Sequence, residues 1–225
     1  MSNNFDRHLP RFIECARQLD KIDVAVYEQY GKDPLNPIIG LGPKHAEICI
    51  FGRDPGRHEV EHQMPFIGAG GQKVRRELHL VKHGVDCPDF DASIAIGQTV
   101  FWANTVPYKP IGNKAWSQKV KKLFKPLMTE VLLSCWTGGK VITLGREAFL
   151  WFGIGLDKSA RDRLMAFWSH PNRFTEHMEF ELSAAGLSRT IEIYPLPHPS
   201  PLNATWYKQF PRLLRERLMQ TGYGA

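Results

Sequence analysis

Along this chain, short apolar runs alternate with longer stretches in which apolar residues recur every three or four positions. Four of the short runs span residues 47–51 (EICIF), 100–103 (VFWA), 140–144 (KVITL) and 190–194 (TIEIY). Each is rich in β-branched or aromatic residues and stops at Gly, Asn or Pro, which predicts short strands buried on both faces. Between them, Val120, Leu123, Phe124, Leu127 and Val131 share one face of a helix predicted over 115–133. Further helices are predicted over 72–80, after a glycine cluster, over 161–168 and over 204–219, with one or two more inside 5–30. Strands alternating with helices predict an α/β fold, a three-layer α/β/α sandwich around a central four-stranded parallel sheet. No repeat, low-complexity tract or linker interrupts the pattern, so one domain is expected over 1–225.

Composition narrows the class without naming a function. With 43% hydrophobic and 23% charged residues, the 225-residue chain is ordinary for a globular protein and long enough to bury a full core. Lys and Arg exceed Asp and Glu by 29 to 23, a basic balance that fits a nucleic-acid partner and that many unrelated enzymes share. The N-terminus is polar, and no apolar run approaches the roughly 18 residues of a membrane span. A soluble, intracellular, cytoplasmic protein without a membrane partner is expected, nucleoid-associated if its host is bacterial. Cysteines at 15, 49, 87 and 135 form neither a CxxC pair nor a set of metal ligands, which suits a reducing compartment and predicts no metal or cofactor. No phosphate-binding Walker pattern or dinucleotide fingerprint is present.

In parallel sheets ligands bind beyond the carboxyl ends of the strands. The predicted strands lead, in chain order, into Gly52-Arg-Asp-Pro-Gly56, Asn104, Gly145-Arg146 and a segment containing His198-Pro-Ser-Pro-Leu202. Prolines at 197, 199 and 201 hold that last segment extended and stiff, so His198, Ser200 and Leu202 project in set directions. The four strand ends therefore gather Asp, Asn and His at one rim. Each residue also has a plainer reading. Asp54 fits a Pro-Gly turn, Phe66 a ring packed under a glycine turn, Asn104 a turn before Pro107, and Leu202 an exposed loop leucine. A second His-Pro pair, His170-Pro171, comes after an amphipathic helix and reads as a helix stop.

GRDPG (52–56), MPFIG (64–68), WANTVPYKPIGN (102–113), TLGREA (143–148) and HPSPL (198–202), in this order, resemble the motifs of the uracil-DNA glycosylase superfamily. The resemblance covers residues from about 47 to 205 and implies a four-stranded parallel sheet between helices. It implies that Asp54 activates water, and a carboxylate there also offsets positive charge developing on the sugar. His198 would contact uracil O2 and stabilise the departing anion. Asn104 would donate to O4 and accept from N3–H, a pattern that cytosine reverses. Phe66 would stack on the extruded base, with Gly52, Arg53 and Gly56 completing the base pocket. Pro55, Gly68, Gly70, Ser200 and Pro201 would meet the DNA, Ser200 and the glycine-opened helix at phosphates. Leu202 would fill the gap left by the flipped nucleotide.

The departures bear on base range. Arg53 stands where the uracil-specific branch has Gln and the iron–sulfur branch has Glu. Gly56 replaces the Tyr that excludes thymine. PFIG and PIGN look like the iron–sulfur branch, without the cysteine spacing that holds its cluster. The expectation is a monomeric, cofactor-free, monofunctional glycosylase that releases uracil from single- or double-stranded DNA. No Lys is implied as an amine nucleophile, so no lyase step is expected. The alternatives are a broader glycosylase acting on hypoxanthine, xanthine or T·G mismatches, a non-catalytic damaged-DNA binding module, and a small-molecule hydrolase.

Overall fold

The computed structural model describes residues 5–200 and 203–224. Two helices, α1 (Leu9–Ala16) and α2 (Val24–Gln29), precede strand β1 (Ile48–Gly52), which leads into α3 (Arg57–His62), α4 (Ala69–His83) and α5 (Phe90–Gly97). Then come β2 (Phe101–Asn104), α6 (Gln118–Ser134), β3 (Lys140–Leu144), α7 (Arg146–Leu150) and α8 (Lys158–Ser169). The chain continues through β4 (Met178–Ala184), β5 (Leu187–Leu196), α9 (Ala204–Tyr207) and α10 (Phe210–Gln220).

The strands form one sheet in the order β2-β1-β3-β5-β4, with every pairing parallel except β4–β5. Side chains alternate across each strand, and both faces are covered. Cys49, Phe51, Phe101, Val141 and Ile193 face a core shared with α1, α2 and α6. Ile48, Ile50, Trp102, Ile142 and Leu144 face a second core with α4 and α10. The expected three layers are therefore present, and the parallel strands read as continuous apolar runs because neither face meets water.

Two expectations need correction. The sheet has a fifth strand, the antiparallel edge strand β4, in which Met178, Phe180 and Leu182 are buried while Glu179 and Glu181 are exposed. A half-exposed strand alternates apolar with polar residues, so it shows no apolar run. It joins β5 through a two-residue turn in which Ala185 and Gly186 both have positive φ, 51° and 77°, the geometry of a type I′ hairpin. The helix expected over 204–219 is two helices, α9 and α10. Pro211 sits in the first turn of α10 and has no N–H to continue a helix from before it. His170 does end α8, with extended backbone at φ −67° and ψ 137°.

Register sets the rim where chemistry gathers. Gly52 pairs with Asn104 at the ends of β1 and β2, and the Thr105 N–H donates to the Gly52 carbonyl at 2.9 Å. Leu144 pairs with Leu196 at the ends of β3 and β5, and the Gly145 N–H donates to the Leu196 carbonyl at 2.8 Å. Connections leave β1 toward β2 on one side and return to β3 on the other, so the rim beyond β1 lies at the switch point of the sheet.

Candidate active site

Beyond the carboxyl ends of β1, β2 and β5 lies a cavity of about 440 Å³. It is lined by Gly52, Arg53, Asp54, Pro55, Gly56, Phe66, Gly68, Gly70, Asn104, His198 and Ser200 among others. All the expected site residues within the described part of the chain are brought together there. Pro201 and Leu202 lie outside the described residues.

Asp54 turns inward from the loop after β1, and its side chain is only 1% exposed. One carboxylate oxygen accepts from the Thr105 hydroxyl at 3.0 Å, and the other accepts from the Trp116 N–H at 3.5 Å. The Arg53 guanidinium lies 3.8 Å from that second oxygen. Burial dominates and pushes the Asp54 pKa up to about 6, while Arg53, the Thr105 hydroxyl, Lys121 and the Trp116 N–H all pull it back. Asp54 is thus a carboxylate poised to accept a proton near neutrality.

Asn104 is buried at the end of β2. Its amide nitrogen donates to the Arg53 carbonyl at 2.5 Å, and its Oδ1 has no partner among the described residues. A buried amide oxygen without a donor carries a desolvation cost of about 1–3 kcal/mol, which a ligand N–H would relieve.

Phe66 sits in the left-handed region at φ 56°, which a bulky residue rarely adopts. Its ring packs over Gly52, where a Cβ would lie 2.5 Å from Phe66 Cε1, and against Trp102 at 5.0 Å. A Cβ at Gly71 would lie 1.9 Å from the Phe66 carbonyl oxygen. Two glycines therefore make room for this one residue. Arg75, 1% exposed, holds the turn from below by donating to the carbonyls of Phe66, Ser93 and Pro65 at 2.9, 2.9 and 3.3 Å.

Glu59 joins the two loops that form this wall. Its carboxylate accepts from the N–H groups of Gly56, Ile67 and Gly68 at 2.9, 3.0 and 2.7 Å. Sequence reasoning missed both Glu59 and Arg75. Glu59 had a signal, since a Glu three residues after a helix N-cap is the capping-box spacing. Arg75 had none, because the groups it donates to are backbone carbonyls.

Gly56 has ordinary extended backbone at φ −99°. A Cβ there would lie 2.8 Å from Glu59 Oε2, so a side chain at this position meets that carboxylate first. Gly70, expected to meet DNA, lies where a Cβ would be 3.3 Å from Pro199 Cγ. It lets the first turn of α4 approach the proline-rich segment.

His198 leaves β5 on the far side of the cavity, against Gly145. That glycine has φ +95°, and a Cβ there would lie 3.0 Å from His198 Cβ. Burial first, and then the charge of Arg53, lowers the His198 pKa to about 4. The imidazole is neutral at physiological pH. Among the described residues no group of three or more His, Cys, Asp or Glu side chains converges as a metal ion would require, and all four cysteines are free.

Residues bearing an ionisable carboxylate, a neutral imidazole, a guanidinium, an aromatic ring and an amide whose oxygen has no partner among the described residues thus line one nucleoside-sized space. No individual curated protein gives a significant match to the chain. Residues 39–220, however, match the Uracil DNA glycosylase superfamily. The chain belongs to that superfamily, and with it to the DNA glycosylases that act on damaged bases.

Proposed function

We propose that the protein hydrolyses the N-glycosidic bond of deoxyuridine in DNA, releasing uracil and leaving an abasic site for base excision repair. The observation that carries the reading is Asn104: its buried Oδ1 has no partner among the described residues, and the residue lines a cavity together with Phe66, Asp54 and His198. Uracil N3–H supplies the donor this oxygen lacks, whereas cytosine presents a second acceptor at N3. A site built to take a hydrogen bond rejects a base that cannot make it by about 10⁴–10⁵.

The nucleotide is flipped into the cavity and the base lies against Phe66. The C1′–N1 bond breaks with its electron pair leaving on the base, and the charge spreads to O2. Neutral His198 donates a hydrogen bond there, and Arg53 supplies the nearby positive charge. Ionised Asp54 offsets the charge on the sugar and accepts a proton from the water whose oxygen bonds to C1′. Uracil departs as the anion and takes its proton from solvent. The protein acts as a monomer, without cofactor.

A broader base range is favoured by Gly56, which puts no side chain between the cavity and Glu59. Uracil remains the best substrate, and 5-substituted uracils such as 5-hydroxymethyluracil are tolerated. The test is strand cleavage at abasic sites in oligonucleotides bearing U, 5-hydroxymethyluracil, T·G, hypoxanthine or xanthine, in single and double strands. Uracil should be released fastest. Faster release of hypoxanthine or xanthine would replace this reading with the broader one, and DNA binding without any release would leave a damage-binding module.

A further inference from the structure

A second cavity, of about 420 Å³, adjoins the first across a wall made by Arg53 and His198, which line both. Its floor is aromatic. The Phe174 ring stands edge-on to Trp206 at 4.9 Å and 81°, and edge-on to Trp168 at 5.8 Å and 78°. Phe174 is buried, whereas both tryptophans remain partly open.

Its charge is positive. The Arg173 guanidinium lies 4.5 Å from the Phe174 ring centre and within 6 Å of both tryptophans, its Nη1 donates to the His170 carbonyl at 3.1 Å, and it makes no ion pair among the described residues. Arg146, which also lines it, is exposed and, among the described residues, donates only to the Met165 thioether, at 3.4 Å. The acidic residue of the cavity, Glu147, is bound to Lys121. Nothing in the proposed hydrolysis uses Trp168, Arg173, Phe174 or Trp206.

Partly exposed indoles beside guanidinium groups, with Glu147 held by Lys121, suit an occupant that is flat and anionic at once. A nucleotide has both properties: the base stacks and the phosphate pairs. Because the two cavities share a wall, a strand with one nucleotide in the first reaches the second without leaving the surface.

We infer that the second cavity is a nucleotide subsite that receives the base flanking the flipped one on the same strand, by stacking on Trp206 and Trp168 with its phosphate at Arg146. This rests on the reading of the first cavity as the base-excision site. Binding rather than turnover therefore reads the test.

The full chain, carrying Asp54→Asn so that excision is slow on the timescale of the titration, is titrated by fluorescence anisotropy with short single-stranded DNA containing one deoxyuridine. In the companion strands the nucleotide on one or the other side lacks its base. Removing the correct flanking base should weaken binding roughly 5- to 150-fold, the usual worth of one stacked base. In Trp206→Leu, which keeps an apolar contact to Phe174 but leaves only Trp168 to stack on, that penalty should shrink severalfold. Arg146→Gln, an exposed position that leaves the fold intact, should lower the salt slope of binding by about 0.7, one phosphate on a single strand.

No penalty at either flank, or the same penalty in Trp206→Leu as with Trp206 present, overturns the subsite. If Trp206→Leu does not fold, an unchanged salt slope in Arg146→Gln overturns it instead. Failure of uracil excision with the flanking-base penalty intact would strike the proposed reaction and leave the subsite standing.

Discussion

Replacing Thr105 by Val removes one hydrogen bond to Asp54 and little else. The Thr105 side chain is fully buried, Val has nearly its shape, and the Thr105 N–H keeps its bond to Gly52. The lost donor sits 3.0 Å from a carboxylate whose pKa is already about 6. A hydrogen bond to a charged group contributes about 1.5–3 kcal/mol, so its loss should raise that pKa by about 1 to 2 units. With a midpoint near 6, about nine-tenths of Asp54 is ionised at pH 7; with a midpoint near 7.5, about a quarter is. Excision at pH 7 should therefore slow about fourfold, while the rate well above pH 8 is unchanged. The assay is single-turnover release of uracil across pH 5 to about 9.5, with both proteins saturating the DNA. Both profiles should rise with one ionisation and stay level on the alkaline side, because His198, with a pKa of about 4, is neutral throughout. A midpoint that does not move, or a loss equal at every pH, would refute the assignment of Asp54 as the ionising group.

The same burial predicts opposite effects on stability and rate. The folded-state pKa of Asp54 lies above its ordinary 3.8, so the folded protein binds the proton more tightly, and stability falls as pH rises from about 4 to about 6. Asp54→Asn should abolish this fall in stability between about pH 4 and about pH 6, while slowing excision by about 10²–10³; a variant that keeps the fall and remains fully active contradicts this. Glu59→Gln replaces an acceptor for three N–H groups with an amide that accepts through one oxygen. It should lower the denaturation midpoint and weaken uracil excision together, and unaltered stability would remove its role in joining the two loops. Gly56→Tyr should depress release of 5-hydroxymethyluracil relative to uracil. The ratio within one folded variant is the measure, because the new Cβ would lie 2.8 Å from Glu59 and cost stability by itself.

Legibility in the sequence tracked burial. β1, β2, β3 and β5 are covered on both faces where they cross the core, so their apolar runs were plain. β4 has one face in water, and Glu179 and Glu181 broke its run. The break between α9 and α10 had a visible sign, Pro211, which the surrounding apolar periodicity obscured. The convergence of Asp54, Asn104 and His198 on one cavity was legible because each lies at or just beyond a strand end within a short motif, and sheet topology brings such positions to one rim. Glu59 and Arg75 work through backbone groups of distant turns, contacts that no local pattern announces. The second cavity was equally silent, since Trp168, Phe174 and Trp206 come from separate segments that only the fold brings together.

The most direct measurement mixes excess protein with single-stranded DNA bearing one deoxyuridine, in chelator, and cleaves abasic sites with alkali. The account predicts stoichiometric cleavage at the deoxyuridine by the natural sequence and a rate about 10²–10³ lower for Asp54→Asn. Intact DNA after prolonged incubation with folded protein, or an Asp54→Asn variant as fast as the natural sequence, would contradict it.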